Sequence, residues 1–209
     1  YDYREPIPIA RDLALTIDQI REIRDMEITH KWKACARDIF MLSFYLCGMN
    51  LGDILVQDFR KPTVKFIRLK TKSRRNPNEQ TEFTIQPEAK AIIDKYMTPD
   101  GHLAFYGRVT KKSIQHITDD YIREIRQDLN IDKMVFYSAR KSFAQLANEM
   151  LIKDTVIEYC IGDAPSNPRK ALNFYIRITK RIADKAIRKV FDAVASDKPM
   201  EKIIEEADF

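Results

Sequence analysis

The strongest helical pattern in the chain covers residues 32–49, and it limits the folds that the chain can adopt. Phe40 and Phe44 lie one helical turn apart on an apolar face, and Gly48 follows as a typical helix terminator. The apolar run inside this pattern, residues 39–49, is much shorter than the roughly 18–20 residues that cross a membrane. The pattern therefore predicts a helix buried in a protein core.

Further periodic segments predict a chain of mainly helical structure with one pair of strands. Helical spacing follows Thr16 and Pro87, and it recurs in residues 51–56, 110–129, 138–151, 155–160, 169–175 and 179–194. Residues 63–69 and 81–85 are rich in β-branched and aromatic side chains, with a turn at residues 76–78 between them. The expected fold class is α+β, mainly helical, with a small antiparallel β-hairpin sheet.

Positive charge is concentrated in two blocks. The chain carries 36 Lys and Arg against 31 Asp and Glu, a net charge of +5. Residues 60–75 contain eight basic residues and no acid, and residues 169–189 contain eight more with Asp184 as the one acid. Such blocks favour a surface for a polyanion such as nucleic acid, and the alternative is a pair of solvated element faces.

Glycine, cysteine and histidine usage argues against cofactor and metal chemistry. The five glycines form neither a dinucleotide-binding GxGxxG pattern nor a P-loop, and the three histidines show no HxxxH spacing. Cys35, Cys47 and Cys160 form no CxxC pair, and Cys35 and Cys47 lie in an apolar helical stretch. We expect no cofactor, no metal, and buried thiols in a reducing, cytoplasmic compartment.

The predicted hairpin carries cations on one face. Arg68, Lys70 and Lys72 alternate along the strand, so their side chains point to the same side. A lysine held there can enter a DNA groove and place its ammonium beside a phosphodiester. Lysine is also common on exposed edge strands, where it serves only solubility.

Two later segments carry further candidates. Tyr137 and Arg140 share a face at a predicted helix start, where free backbone N–H groups can meet an anion. Arginine suits bidentate phosphate contact, although an ordinary surface arginine is the alternative. Tyr175 lies between Phe174 and Ile176, which are expected to anchor in the core and turn Tyr175 toward solvent or a cleft. A tyrosine alone is far more often part of a core or an interface than a nucleophile.

The order of these features resembles the catalytic domain of the tyrosine recombinases, also called the phage integrase family. GM-x-L-x-D-I after the apolar helix is followed by R-x-K-T, Y-x-A-R, G-D and then Tyr175. The likeness spans residues 16–194 and is strongest to integrases of Bacteroides-type mobile elements. It implies that Lys70 is the general acid, Arg140 a phosphate-binding arginine and Tyr175 the nucleophile.

The chain departs from the family pattern at three positions. Asn50 stands at the place of the first arginine, Tyr137 at that of the box histidine, and Asp163 at that of the histidine after glycine. Asn50 brings no charge to a site that must stabilise phosphate, so we expect Arg68 to replace the missing arginine. Tyr137 and Lys141 are expected to donate hydrogen bonds. Asp163 either accepts from a neighbouring cation or caps the turn at residues 164–166.

The resemblance implies cleavage and rejoining of double-stranded DNA through a 3′-phosphotyrosine, without cofactor or metal, by a homotetramer on DNA and away from membranes. The DNA-contacting residues expected beside the site are Lys65, Lys72, Arg74, Arg75 and Arg177. Residues 1–12 are expected to link a missing N-terminal DNA-binding domain to a catalytic domain over 13–195. Residues 196–209 form a tail that docks on a neighbouring protomer or frays.

Two other classes stay open. The three departures are compatible with a degenerate family member that binds DNA without cutting it and acts as a regulatory factor. A topoisomerase of the related type IB chemistry is a weaker alternative, distinguished by relaxation of supercoiled DNA without sequence preference.

Overall fold

Most described residues lie in helices, and two strands form a small sheet. The structure, a computed structural model, describes residues 12–68, 80–163 and 177–206. Its elements are α1 (Ile17–Asp25), α2 (Lys31–Tyr45), α3 (Leu51–Leu55), β1 (Thr63–Phe66), β2 (Thr81–Thr84), α4 (Pro87–Tyr96), α5 (Lys111–Asp128), α6 (Ser138–Glu149), α7 (Asp154–Cys160), α8 (Lys180–Ala195) and α9 (Met200–Glu206). The mainly helical class with a small antiparallel sheet is confirmed. The predicted helix at residues 169–175 lies outside the described residues.

Local capping signals explain where several helices begin. The hydroxyl of Thr16 accepts from the backbone N–H of Gln19, whose side chain accepts in return from the Thr16 N–H. The hydroxyls of Thr110 and Thr179 each accept from the backbone N–H three residues on and so cap α5 and α8, and Pro87 opens α4 without the need for an N–H. These four starts follow the sequence prediction.

Helix α2 ends earlier than predicted, at Tyr45 rather than residue 49. Cys47 and Gly48 both adopt positive φ, at 57° and 74°, which a continuing helix does not allow. Their N–H groups turn back to the carbonyls of Phe44 and Ser43, at 3.0 and 2.7 Å. This cap reverses the chain and sends it into α3.

The core joins α2, α6 and α8 through three aromatic rings. Phe44 lies 6.1 Å from Phe143 and 5.9 Å from Phe191 between ring centroids, and the latter two are 6.2 Å apart. All three side chains are fully buried. Their contacts fix α6, which carries Arg140, against the end of α2.

Side chains of α7 and α8 hold the sheet to the helices. Val64 pairs with Phe83 in the register of β1 and β2. Strand β2 is tied to α8 by Asp184, whose carboxylate accepts from the N–H and hydroxyl of Thr84 at 2.7 Å each. It is tied to α7 by Tyr159, whose hydroxyl accepts from the Glu82 N–H at 3.0 Å. The predicted strand at residues 63–69 is shorter in the structure and ends at Phe66.

The tail forms α9 on the chain's own core. Met200 and Ile203 pack against the core, and a guanidinium nitrogen of Arg21 donates to the Lys198 carbonyl at 2.8 Å. Docking of this tail on a neighbouring protomer stays a prediction. Within the described ranges, none of the helices has the length and apolar character that crossing a bilayer requires.

Candidate functional site

Two arginines from distant parts of the chain meet at one carboxylate. Arg68 donates from Nη1 to Oδ1 of Asp163. Arg140 places Nη2 at 2.8 Å from Oδ2 of Asp163, a close charge contact without the alignment of a hydrogen bond. The sequence prediction that Asp163 accepts from a neighbouring cation is thereby confirmed, and the turn at residues 164–166 that it was alternatively expected to cap lies outside the described residues.

Arg140 is placed by the packing of α6 on the end of α2. Its Nη1 donates to the carbonyl of Gly48 at 3.2 Å. A Cβ on Gly48 would lie 2.4 Å from the Cα of Arg140, so the two backbones touch. Glycine is required at this position for the close approach as well as for its positive φ.

Arg68 is placed by the sheet and by a second glycine. It follows β1 by two residues, and β1 is aligned by its pairing with β2. A Cβ on Gly162 would lie 3.3 Å from Cγ of Arg68 and 3.0 Å from the ring of Phe66. The missing side chain of Gly162 therefore lets the arginine stem pass over the end of α7.

Asp163 is positioned by the helix cap that ends α7. Gly162 has a φ of 69° and donates its N–H to the Tyr159 carbonyl at 3.0 Å. The Asp163 N–H donates to the Glu158 carbonyl at 2.8 Å. This pair of bonds is the Schellman arrangement, and it fixes the Asp163 backbone while its side chain projects toward the arginines.

The charges of this cluster differ in their access to solvent. The side chains of Arg68 and Arg140 are 9% and 4% exposed, whereas that of Asp163 is 39% exposed. Two neighbouring guanidinium groups repel each other at such low hydration, so they need an anion nearby. Asp163 supplies it here. A planar guanidinium pair of this kind is suited to bidentate binding of a carboxylate or a phosphate.

Three other predicted site residues lie at the start of α3, just before α6, and within α6. Asn50 is half-buried at the start of α3 and donates its amide to Asp53 at 3.4 Å. Tyr137 is exposed just before α6, one turn from Arg140. Lys141 faces a surface groove shared with Asp12 and other neighbours, on a different side of α6 from Arg140.

The prediction of free N–H groups at the start of α6 is wrong. The Ser138 N–H donates to Val135 at 2.9 Å, and the Ala139 N–H donates to Phe136 at 3.2 Å. The Arg140 N–H is likewise bonded to the Tyr137 carbonyl at 3.2 Å. A tight turn ahead of the helix consumes these donors, so anion binding here depends on side chains.

The two basic blocks are partly neutralised within the chain. Lys65 is exposed on β1 and lies 3.7 Å from Glu82 across the sheet. In α8, Lys180 pairs with Asp184, and Arg188 pairs with Glu88. The exposed cations at the start of this second block include Arg177, Arg181 and Lys185. The predicted site residues Lys70, Lys72, Arg74, Arg75 and Tyr175 lie outside the described residues.

Two buried thiols lie behind the arginine pair. Cys47 adjoins Gly48, and Cys160 is the last residue of α7. Burial raises the pKa of the Cys47 thiol well above its usual value, and a hydrogen bond with the Cys160 thiol raises it further. The prediction of buried thiols at Cys35 and Cys47 is confirmed.

Sequence reasoning missed two groups that position the site. The Gly48 carbonyl is a partner of Arg140, and the Tyr159 hydroxyl fixes the sheet that carries Arg68. The sequence indicated Gly48 as a helix terminator and as part of the GM-x-L-x-D-I motif, and neither indicated a bond from its carbonyl to Arg140. The sequence pattern around a backbone carbonyl or a tyrosine hydroxyl does not show which distant residue that group will bond.

No protein-family model, no curated protein and no solved structure matches the chain.

Proposed function

We propose that this chain is the catalytic part of a site-specific DNA recombinase that cleaves and rejoins DNA through a 3′-phosphotyrosine. The observation that carries the proposal is the meeting of Arg68 and Arg140 at one anionic group. The two residues are far apart in sequence, and both belong to the short motifs on which the family resemblance rests. Their convergence is what a phosphate-binding site requires of them.

In the proposed reaction the Tyr175 hydroxyl attacks a DNA phosphorus, and the bond from phosphorus to the 5′-oxygen breaks. The phenol has an ordinary pKa of about 10, so nearby positive charge must favour its phenolate. Arg68 and Arg140 bind the non-bridging oxygens and offset their charge. Lys70 gives a proton to the departing 5′-oxygen. A 5′-hydroxyl later attacks the phosphotyrosine and rejoins the strand, so the bond energy is conserved.

The geometry gives a reason why Asn50 is tolerated in this proposal. Asn50 is neutral, and its amide is directed at Asp53. Arg68 enters from the sheet and restores a second guanidinium next to Arg140. Two guanidinium groups thus converge on one anion position, and the stabilisation of a pentavalent transition state calls for cations there.

Covalent trapping tests the proposal. The full-length protein is incubated with nicked duplexes that cover both ends of the DNA element carrying its gene, and a denaturing gel reports any protein–DNA adduct. The expected result is an adduct with the parent and with Tyr106→Phe, and none with Tyr175→Phe. Tyr106→Phe is the matched control because Tyr106 is exposed and packs on Trp32 at the start of α2, whereas Arg140 contacts Gly48 beyond the other end of that helix. An adduct that survives in Tyr175→Phe contradicts the proposal.

One observation favours the second candidate, a member that binds DNA without cutting it. The arginine pair already holds the Asp163 carboxylate, which repels an incoming phosphate. Sequence-specific DNA binding without any adduct, on substrates that cover both ends of the element, would favour this candidate.

A further inference from the structure

The arginine pair holds a carboxylate at the place where the proposed function needs a phosphate. Asp163 contacts both guanidinium groups, and each of its two oxygens faces a different arginine. A carboxylate and a phosphate present similar pairs of anionic oxygens to arginine. The same donors can therefore serve either anion.

Burial indicates the order in which an incoming anion meets these groups. Asp163 is the solvent-exposed member of the cluster, and both arginine side chains are less than a tenth exposed. A phosphate that approaches both guanidiniums from solvent meets the carboxylate first. Two anions at one guanidinium pair repel each other, so the phosphate and the carboxylate compete.

The main chain at Asp163 is held by bonds that do not involve its carboxylate. The Gly162 and Asp163 N–H groups are bonded to carbonyls of α7, which fixes the main chain. These bonds involve the main chain alone, so displacement of the carboxylate from the arginines does not require the cap to break.

We infer that Asp163 is a built-in competitor of the DNA phosphate, which must displace its carboxylate from Arg68 and Arg140 before the strand can be cleaved. This inference rests on the proposed function for the identity of the phosphate. It assigns to Asp163 a regulatory role that the family resemblance does not supply. DNA binding and release of the carboxylate are thereby coupled at one guanidinium pair.

Binding of inorganic phosphate tests the inference without any cleavage. All variants are made in the Tyr175→Phe background, and phosphate is titrated while the arginine side-chain Nε–H signals are followed by NMR. Asp163→Asn keeps the shape of the side chain and removes its charge. We expect it to bind phosphate about tenfold more tightly than the background protein.

Asp58→Asn is the matched control. Asp58 pairs with Arg60 at 2.7 Å, and its side chain is 34% exposed, so the variant removes the same charge from a comparable surface pair. It is expected to leave the phosphate affinity unchanged. Adding Arg68→Ala to Asp163→Asn is expected to abolish the gain. Asp163→Ser replaces Asp163→Asn if the latter lowers the melting temperature.

Unchanged or weaker phosphate binding by Asp163→Asn overturns the inference, because the carboxylate then only holds the arginines in place. The result is independent of Tyr175. A gain in phosphate affinity together with a failure of covalent trapping would sustain the competitor and reject the recombinase. Covalent trapping without a gain in phosphate affinity would sustain the recombinase and reject the competitor.

Discussion

The Arg140 side chain donates to the carbonyl of Gly48, 92 positions away in sequence, at 3.2 Å. The contact extends to the backbones, since a Cβ on Gly48 would lie 2.4 Å from the Cα of Arg140. The end of α2 and the start of α6 are thus fitted to each other at the point where the arginine enters the site. Any atom added at Gly48 must move one of them.

Gly48→Ala is therefore expected to destabilise the protein strongly. The left-handed backbone alone costs an alanine about 1–2 kcal/mol. The overlap with Arg140 adds about 1–3 kcal/mol to the loss of stability, the typical cost of overpacking a core. Urea unfolding measures the free energy of unfolding of parent and variant.

Gly107→Ala is the control for Gly48→Ala. Gly107 has a φ of 80°, and nothing lies within 4 Å of a Cβ built there. Gly107→Ala is therefore expected to show the cost of a left-handed backbone without any steric overlap of the new Cβ. Equal losses of stability in the two variants would contradict the close fit of α2 and α6.

Tyr159→Phe is expected to disturb the site from a distance. Its hydroxyl accepts from the Glu82 N–H at 3.0 Å and so ties β2 to α7. Removal leaves a partly buried N–H without that acceptor, at a cost of about 1–3 kcal/mol. Because β2 aligns β1, and Arg68 follows β1, adduct formation should slow while DNA affinity is retained. Tyr106→Phe should change neither the rate of adduct formation nor the DNA affinity. An unchanged rate of adduct formation in Tyr159→Phe would contradict the positioning role of the Tyr159 hydroxyl.

Stability is expected to fall at alkaline pH. Burial raises the pKa of the Cys35 thiol to about 11 and that of the Tyr45 phenol to about 12. The folded state therefore holds these protons more tightly than the unfolded chain, in which a thiol has a pKa of about 8.5. The resulting stability is complete below that pH and is lost as the pH rises toward 11. Each such thiol contributes a slope of about 1.4 kcal/mol per pH unit in this window.

Urea unfolding at pH 8, 9 and 10 measures this slope. Cys35→Ala is expected to be less stable at pH 8 because it leaves a cavity, and to lose less stability between pH 8 and 10 than the parent. A parent whose free energy of unfolding does not change over this range would contradict the expectation.

The fold was predictable where the causes are local. The caps at Thr16 and Thr110 and the first-turn proline at Pro87 act within one helical turn, so the sequence carries the whole signal. The end of α2 was misplaced by a few residues because Cys47 adopts positive φ without being glycine. The length of β1 was overestimated because strand ends depend on partners rather than on side-chain type.

The candidate site was predictable in its residues and only partly in its geometry. Arg68, Arg140 and Asp163 were each singled out, and the contact of Asp163 with a cation was one of two expectations for it. The Gly48 carbonyl and the Tyr159 hydroxyl were not found, because their partners are set by the packing of α6 and by the sheet. The prediction of free N–H groups at the start of α6 is wrong because a tight turn bonds them, and this turn has no sequence signature.

The claim that Arg68 supplies the charge absent at Asn50 is tested most directly by the rate of adduct formation on the nicked duplexes. Arg68→Ala is predicted to form the adduct about 100-fold more slowly than the parent, the usual cost of losing one stabilising donor, with DNA affinity retained. Arg123→Ala, which removes an exposed arginine paired with Asp120 outside the two basic blocks, is predicted to react at the parental rate. Adduct formation by Arg68→Ala at the parental rate would contradict the account.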